Sequence, residues 1–188
     1  MLCVSRLTPR KGQDRLIDAL PELRHRFGAR LLLVGEGRIA RDLRRRARRR
    51  GVEKEVVFAG KVPDGELPAY YAAADVFAVP VRSRWLGMEE EGFGVVFVEA
   101  AAAGLPAVVG ASGGTSEAVE SGRTGFLVDG SSQAGVLRAL ARLLGDKGLR
   151  KKMGAAARER AVALHGPSAV GERYREVLRM AAEGRLAP

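Results

Sequence analysis

The stretch LCVSRLTPRKGQDRLIDALPELRHRFGARLLLVG, residues 2–35, contains the alternation that decides the fold. Its two apolar runs, residues 2–5 and 31–35, are short and uninterrupted, which is typical of strands that are buried on both faces. Between them, residues 13–27 have the apolar spacing of an amphipathic helix. A strand, a helix and a second strand in this order predict a βαβ unit with parallel strands.

The same alternation continues through most of the chain. Further strands are predicted at residues 56–60, 76–80, 107–110 and 126–128, and further helices at 39–50, 66–74, 95–103, 116–121 and 131–144. After Asp146 only helices follow, at 148–164 and 168–182. We therefore expect one domain with a doubly wound, Rossmann-like α/β fold and helices on both faces of a parallel sheet. Residues 1–145 would form the α/β core and residues 146–188 the terminal helices.

The composition predicts a folded chain and excludes several classes of protein. Of the 188 residues, 46% are hydrophobic, which is enough for a packed core. No apolar run approaches the roughly 20 residues that cross a bilayer, and the N-terminus lacks the pattern of a signal peptide, so we expect a cytoplasmic protein. A single cysteine, Cys3, and two histidines argue against a disulfide scaffold and a zinc site.

The net charge of +10 indicates an anionic partner. Much of the excess lies in residues 38–50, here called the arginine-rich segment, which holds eight arginines in thirteen residues. Its apolar residues Ile39, Leu43 and Ala47 form one narrow helical stripe. Three interpretations remain open: a solvated helix face, contact with an anionic membrane surface, and binding of nucleic acid, for which no aromatic residues are interleaved.

Polar residues that follow the predicted strands are candidates for ligand binding, because ligands of such sheets lie beyond the carboxyl ends of the strands. Arg6 and Lys11 follow the first strand, where a guanidinium and an ammonium could grip a diphosphate. The turn Gly35-Glu36-Gly37, after the second strand, fits a dinucleotide-binding pattern. It lacks the acidic residue expected at the end of the next strand, which argues against NAD. We interpret it as a tight turn or as a close backbone approach to a different nucleotide.

Residues 89–106, EEEGFGVVFVEAAAAGLP, combine a glycine-rich loop with the start of a helix. Free backbone N–H groups and the positive end of the helix attract phosphate. Glu91 and Glu99 would lie about 12 Å apart on a continuous helix, whereas a retaining glycosidase needs its carboxyl groups about 5 Å apart. We therefore expect them to hold different parts of one long ligand. Residues 112–115 and 122–125 predict turns, and no spacing of metal ligands occurs.

Taken in order, these motifs resemble the donor-binding half of the family-4 retaining glycosyltransferases with the GT-B fold. The resemblance spans roughly residues 2–145. It rests on Ser5-Arg6 with Lys11-Gly12, Val34-Gly35-Glu36-Gly37, Phe58-Ala59-Gly60-Lys61-Val62, Glu91-Gly92-Phe93-Gly94 with Glu99, and Gly125-Phe126-Leu127-Val128. Residues 70–88 are most similar to the phosphatidylinositol mannosyltransferase-like branch of that family.

The resemblance implies a role for each site residue. Arg6, Lys11 and Glu91 would be catalytic: the two cations would bind the diphosphate in place of a metal, and Glu91 would contact sugar hydroxyls near the reacting carbon. Glu99 would bind the ribose diol. Backbone amides would hold sugar and phosphate at Gly92, Phe93, Gly94 and Val95, and the base would lie against Lys61 and Val62.

The resemblance also implies the reaction and the partners. A hexose, with mannose from GDP-mannose favoured, would pass from the nucleotide sugar to a lipid or glycan acceptor without a cofactor. The N-terminal GT-B domain, which binds the acceptor, does not fit within 188 residues, so we expect this chain alone to bind the donor weakly and to turn over little. Peripheral contact of the arginine-rich segment with the inner face of an anionic membrane stays open, and nucleic acid is not expected. A non-catalytic module that binds sugar nucleotides remains the alternative.

Overall fold

The computed structural model describes residues 1–83, 88–183 and 185, and its centre is a six-stranded parallel sheet. The strands are β1 (Leu2–Val4), β2 (Leu31–Val34), β3 (Val56–Gly60), β4 (Phe77–Val79), β5 (Ala107–Gly110) and β6 (Gly125–Val128). They lie in the order β3-β2-β1-β4-β5-β6, with every neighbouring pair parallel. The predicted Rossmann-like sheet is confirmed.

Helices cover the sheet in two layers. They are α1 (Gln13–Phe27), α2 (Ala40–Arg49), α3 (Leu67–Ala72), α4 (Val95–Ala102), α5 (Thr115–Ala118), α6 (Gln133–Gly145), α7 (Lys147–His165) and α8 (Pro167–Ala182). Helix α1 packs against α2 and α6, and α4 packs against α7. Helix α5 ends at Ala118, before the predicted end at residue 121, because Val119 is extended and the Glu120 N–H donates to the Thr124 hydroxyl.

The strands are continuously apolar because both faces of the sheet are buried. Leu2, Leu31, Phe77 and Val108 are completely buried in one core. Cys3 lies in the same layer, where burial raises the pKa of its thiol to about 11 and therefore keeps it protonated.

The two terminal helices differ in how they pack. The Asp146 carboxylate caps α7 by accepting a hydrogen bond from the Leu149 N–H at 2.8 Å. Gly154 of α7 lies so close to the turn after α4 that an added Cβ would be 2.1 Å from the Gly104 carbonyl oxygen. By contrast, α8 buries none of its residues and contacts chiefly α7. Within the described residues, no helix has both the length and the apolar character needed to span a membrane.

Part of the arginine-rich segment is neutralised by the neighbouring helix α1. The Asp18 carboxylate accepts two hydrogen bonds from Arg46, at 2.8 and 2.5 Å, and one from Arg50 at 2.8 Å. Burial alone would raise the pKa of Asp18, but these hydrogen bonds and charges outweigh it and hold the pKa below its ordinary value. Two of the eight arginines therefore join α1 to the segment.

We expect Asp18→Asn to lower the free energy of unfolding by about 1–2 kcal/mol at pH 7. Because the folded-state pKa of Asp18 is lowered, its contribution is present above the unfolded pKa of about 4 and is lost as the pH falls. Urea unfolding at pH 7 and pH 3 would measure a difference from wild type that shrinks in acid. The matched control is Asp42→Asn, since Asp42 pairs with Arg45 on the surface and should matter little. Equal losses in both variants would contradict the prediction.

Candidate functional site

The site lies where the order of the strands reverses, between β1 and β4. From β1 the chain runs outward to β2, and from β4 it runs the other way to β5, so the loops after β1 and β4 separate and leave a crevice. The loop after β1 comprises residues 5–12. The residues described after β4 and before α4 are 80–83 and 88–94.

A buried cluster of two cations and one carboxylate joins these two loops. The Lys11 ammonium donates to Glu91 Oε2 at 2.5 Å, and Arg10 Nη1 donates to the same oxygen at 2.7 Å. All three side chains are at most 13% exposed. Removing Glu91 would be costly, because two buried cations would lose the carboxylate that they share, whereas removing one cation leaves Glu91 paired with the other. Lys11 and Glu91 were both predicted, whereas Arg10 was missed.

A sharp turn places Lys11 in this cluster. Residues Pro9–Lys11 form one turn of 3-10 helix, and Gly12 then adopts a left-handed conformation with φ of 74° before α1 begins. A Cβ on Gly12 would be 2.1 Å from the Pro80 carbonyl oxygen at the end of β4. Only glycine allows these two segments of the backbone to approach so closely.

Arg6 lies in the same loop but differs from Lys11 in its exposure. Its side chain is exposed and forms no hydrogen bond or ion pair with any other described residue. Its backbone is held, since Gln13 Nε2 donates to the Arg6 carbonyl and to Ser5 Oγ, both at 2.9 Å. The turn Gly35-Glu36-Gly37 supports this loop from behind: a Cβ on Gly37 would be 2.2 Å from the Leu7 carbonyl oxygen. The backbone of these glycines therefore packs closely against the loop that contains Arg6.

The glycine-rich loop leads into α4 with unused hydrogen-bond donors. Gly94 has φ of 76° and precedes the first helical residue, Val95, whose side chain is exposed. In the described part of the chain, no acceptor is present for the backbone N–H groups of residues 92–96. Such free N–H groups at a helix start bind anions.

Residues 112–114, predicted only as a turn, hold this loop in place. The Gly114 N–H donates to the carbonyl oxygens of Glu91 and Gly92, at 3.2 and 3.0 Å, and the Glu91 N–H donates to Ser112 Oγ at 3.4 Å. A Cβ on Gly113 would be 1.9 Å from the Glu91 carbonyl oxygen. The signal in the sequence was a pair of glycines two residues after a strand, which fits a turn equally well.

Glu99 is separate from Glu91 and has a different partner. It lies on α4, where Oε2 accepts a hydrogen bond from the Tyr71 hydroxyl at 2.7 Å. Both side chains line a cavity of about 710 Å³. The other described residues of its wall are Asp64, Leu67, Pro68, Ala72, Ala102, Ala103 and Arg158.

The remaining predicted site residues follow β3. Lys61 is exposed and Val62 is buried, just after Gly60 in the left-handed conformation. Of the branch-specific stretch, residues 84–87 lie outside the described residues. Arg82 in that stretch pairs with Asp14 on α1 at 3.1 Å.

Comparisons of the sequence place it among proteins of one kind. The profile of a family described as glycosyl transferases group 1 matches residues 1–160. A GDP-mannose-dependent alpha-(1-6)-phosphatidylinositol monomannoside mannosyltransferase of Mycobacterium tuberculosis (strain ATCC 25618 / H37Rv) is 51% identical over 160 residues, covering 85% of this chain and 42% of that protein. The protein with the same description in Mycolicibacterium smegmatis is 45% identical over 188 residues, covering 100% of this chain and 49% of that protein. The chain spans about half the length of these relatives.

Solved structures agree with this comparison. Anabaena Alr3699/HepE in complex with UDP superposes with a TM-score of 0.83 at 28% identity, over 95% of this chain and 48% of that one. Sucrose-phosphate synthase from Thermosynechococcus elongatus superposes with a TM-score of 0.82 at 28% identity, over 97% of this chain and 46% of that one. The C-terminal domain of the glycosyl transferase group 1 family protein LpcC from Francisella tularensis shares the fold, with a TM-score of 0.75 at 22% identity, over 87% and 84%.

Proposed function

This chain belongs to the glycosyl transferases group 1 family, and we propose that it is the donor-binding domain of a retaining, metal-independent hexosyltransferase. One observation carries the proposal. The Lys11 ammonium meets Glu91 directly before the free N–H groups that start α4, in the crevice where the strand order reverses. A cation and a set of free N–H groups, both of which bind phosphate, therefore lie next to the same carboxylate.

The diphosphate of the donor binds between Lys11, Arg6 and the start of α4. When the bond between the anomeric carbon and the diphosphate breaks, negative charge grows on the departing nucleoside diphosphate. Fixed cations and oriented N–H groups stabilise that charge without having to reorganise. We propose that they do so in place of a metal ion. The acceptor oxygen bonds to the anomeric carbon with retention of configuration, and the hydroxyl proton passes to the departing diphosphate.

Arg10 gives Lys11 the freedom to bind this diphosphate. Without a ligand, both cations donate to the same oxygen of Glu91. When Lys11 turns to the phosphate, Arg10 still neutralises the Glu91 carboxylate, so no buried charge is left unpaired. Glu91 is then positioned beside the sugar, where its oxygens accept hydrogen bonds from the sugar hydroxyls.

The nucleoside binds farther along α4, at Glu99. Glu99 accepts hydrogen bonds from the ribose diol, and the base lies against Lys61 and Val62. The two mycobacterial relatives are described as GDP-mannose-dependent mannosyltransferases. This supports GDP-mannose as the donor here. Mannose transfer to a lipid or glycan acceptor is the corresponding reaction.

We propose that a second GT-B domain, which binds the acceptor, completes the enzyme. The relatives are about twice as long as this chain. The surface of α8 also exposes Val170, Tyr174, Val177 and Leu178, an apolar set suited to packing against another domain. Without that domain the chain binds the donor but transfers little sugar, and residues 1–188 act as one unit with a core at 1–145.

We also propose peripheral contact with an anionic membrane through Arg38, Arg41 and Arg49. These arginines have no ion pair with any described residue, whereas Asp18 neutralises Arg46 and Arg50. Basic side chains near an anionic surface each add attraction that salt screens. Failure to sediment with vesicles of anionic phospholipid at low salt would contradict this contact.

Isothermal titration of the 188-residue chain with GDP, GDP-mannose, UDP and a short DNA duplex tests the proposed function. We expect GDP and GDP-mannose to bind, UDP to bind more weakly, and little or no mannose to be transferred. Salt-sensitive binding of the duplex with no response to GDP would contradict the proposal and favour a nucleic-acid-binding domain. A parent reading frame without an upstream α/β domain would favour a non-catalytic module that binds sugar nucleotides.

A further inference from the structure

We propose that Tyr71 is a positioning residue for the nucleotide: its hydroxyl holds one oxygen of Glu99, so that the other oxygen is free to accept a ribose hydroxyl. This inference rests on the proposed function, because it assumes that a nucleotide binds at Glu99. It adds a residue that sequence reasoning did not select and that acts through Glu99.

Tyr71 is held rigidly enough to orient another side chain. It is 3% exposed, and its ring lies 5.9 Å from the ring of Phe77 in β4. Phe77 in turn packs edge-on against Phe97 of α4 at 6.1 Å. The Tyr71 hydroxyl is therefore fixed relative to α4 through three aromatic rings, and it donates to Glu99 Oε2 at 2.7 Å.

Glu99 needs such a partner because it is otherwise free. Its side chain is exposed on α4, and the Tyr71 hydroxyl is its one hydrogen-bond partner among the described residues. A glutamate side chain has several rotamers, and ordering it during binding costs conformational entropy. Because Tyr71 restricts Glu99 before the ligand arrives, less of that entropy is lost on binding.

The protonation of Tyr71 also suits this role. Burial and the neighbouring Glu99 carboxylate both raise the pKa of Tyr71, so the hydroxyl keeps its proton and remains a donor. An ionised carboxylate only accepts hydrogen bonds, and it has two oxygens to offer. Oε2 accepts from Tyr71, whereas Oε1 accepts no hydrogen bond from a described residue, and the ligand group that it binds must be a donor such as a hydroxyl.

The cavity beside this pair has the size and walls of a small-molecule site. At about 710 Å³ it is within the usual range for such sites, about 300–1,000 Å³. Leu67, Pro68 and Ala102 provide apolar wall, and the polar groups come from Asp64, Arg158 and the Tyr71–Glu99 pair. Because Glu99 is part of this wall, a ribose that binds Glu99 lies in or beside this cavity.

The test compares Tyr71→Phe with wild type in binding GDP and inorganic pyrophosphate, the second of which has no ribose. Tyr71→Phe keeps the ring and removes the hydroxyl, and we expect GDP affinity to fall about 3- to 20-fold while pyrophosphate affinity stays unchanged. Tyr70→Phe is the matched control, because the neighbouring Tyr70 hydroxyl has no hydrogen bond to a described residue. In a Glu99→Ala background, Tyr71→Phe should cause no further loss.

Each other outcome overturns the inference. If wild type binds GDP and Tyr71→Phe binds it equally well, Tyr71 does not position the ligand, and the proposed function stands. Equal losses of GDP and pyrophosphate in Tyr71→Phe would mean that the variant disturbs the whole site rather than the ribose contact. If wild type binds pyrophosphate but not GDP, or binds neither, the proposed function fails and this inference fails with it.

Discussion

Lys11→Ala is expected to weaken GDP binding about 10- to 100-fold, the largest loss of affinity among single changes in this domain. Lys11 is the buried cation that the proposal places on the diphosphate, and a hydrogen bond between two charged groups contributes about 1.5–3 kcal/mol. The variant leaves Glu91 paired with Arg10, at 2.7 Å, so the loop keeps a neutralised carboxylate. Calorimetric titration with GDP and with pyrophosphate would measure the loss for both ligands, because both carry the diphosphate.

Lys54→Ala is the matched control for this change. Lys54 is an exposed lysine in the short 3-10 helix Glu53–Glu55, and its loss alters the net charge by the same amount. A general effect of charge would weaken GDP binding equally in both variants, whereas a direct contact would affect Lys11→Ala alone. GDP affinity that is unchanged in Lys11→Ala would remove Lys11 from the diphosphate site.

Gly12→Ala is expected to lower the free energy of unfolding by about 3 kcal/mol. Two costs combine: the left-handed conformation at φ of 74° costs a residue with a Cβ about 1–2 kcal/mol, and overlap in a packed region adds about 1–3 kcal/mol. The overlap is with the Pro80 carbonyl oxygen, 2.1 Å from the added Cβ, and backbone cannot rotate away as a side chain can. Thermal unfolding should show a Tm about 6–12 °C lower.

The second cost can be separated from the first with Gly28→Ala. Gly28 ends α1 with φ of 63°, and an added Cβ there would have no atom within 4 Å. It should therefore show only the conformational cost, about 1–2 kcal/mol. If both variants lose a similar free energy of unfolding, the overlap with the Pro80 carbonyl oxygen costs nothing. The loop after β1 and the end of β4 would then be packed less closely than the 2.1 Å distance indicates. Because Gly12 adjoins Lys11, Gly12→Ala should also weaken GDP binding.

The family resemblance and the strand ends together indicate most of the candidate site from the sequence alone. Lys11 and Glu91 lie in loops after strands, which form the ligand-binding edge of such a sheet, and Glu99 is a carboxylate within an apolar helix, which needs a partner. Their assigned roles remain predictions. Arg10 was passed over because the direction of a side chain next to Lys11 depends on one turn of 3-10 helix, which has no clear sequence pattern.

Tyr71 illustrates a second kind of limit. Tyr70 and Tyr71 are adjacent, and their sequence context does not distinguish them. Only the rotation of the short helix α3 against β4 decides that Tyr71 is buried beside Phe77 and reaches Glu99, 28 residues away. The supporting residues 112–114 were missed for a similar reason, since Ser112 and its partner Glu91 are 21 residues apart in the chain.

The sequence by itself determined the strands, the helices and the fold class, because apolar spacing and turn residues act within a few positions of the chain. Tertiary structure alone decided which charges meet. Lys11 and Glu91 are 80 residues apart, and their contact depends on β1 lying next to β4. The physical reason is that strand pairing and backbone packing set distances between loops, and no local pattern of residues contains those distances.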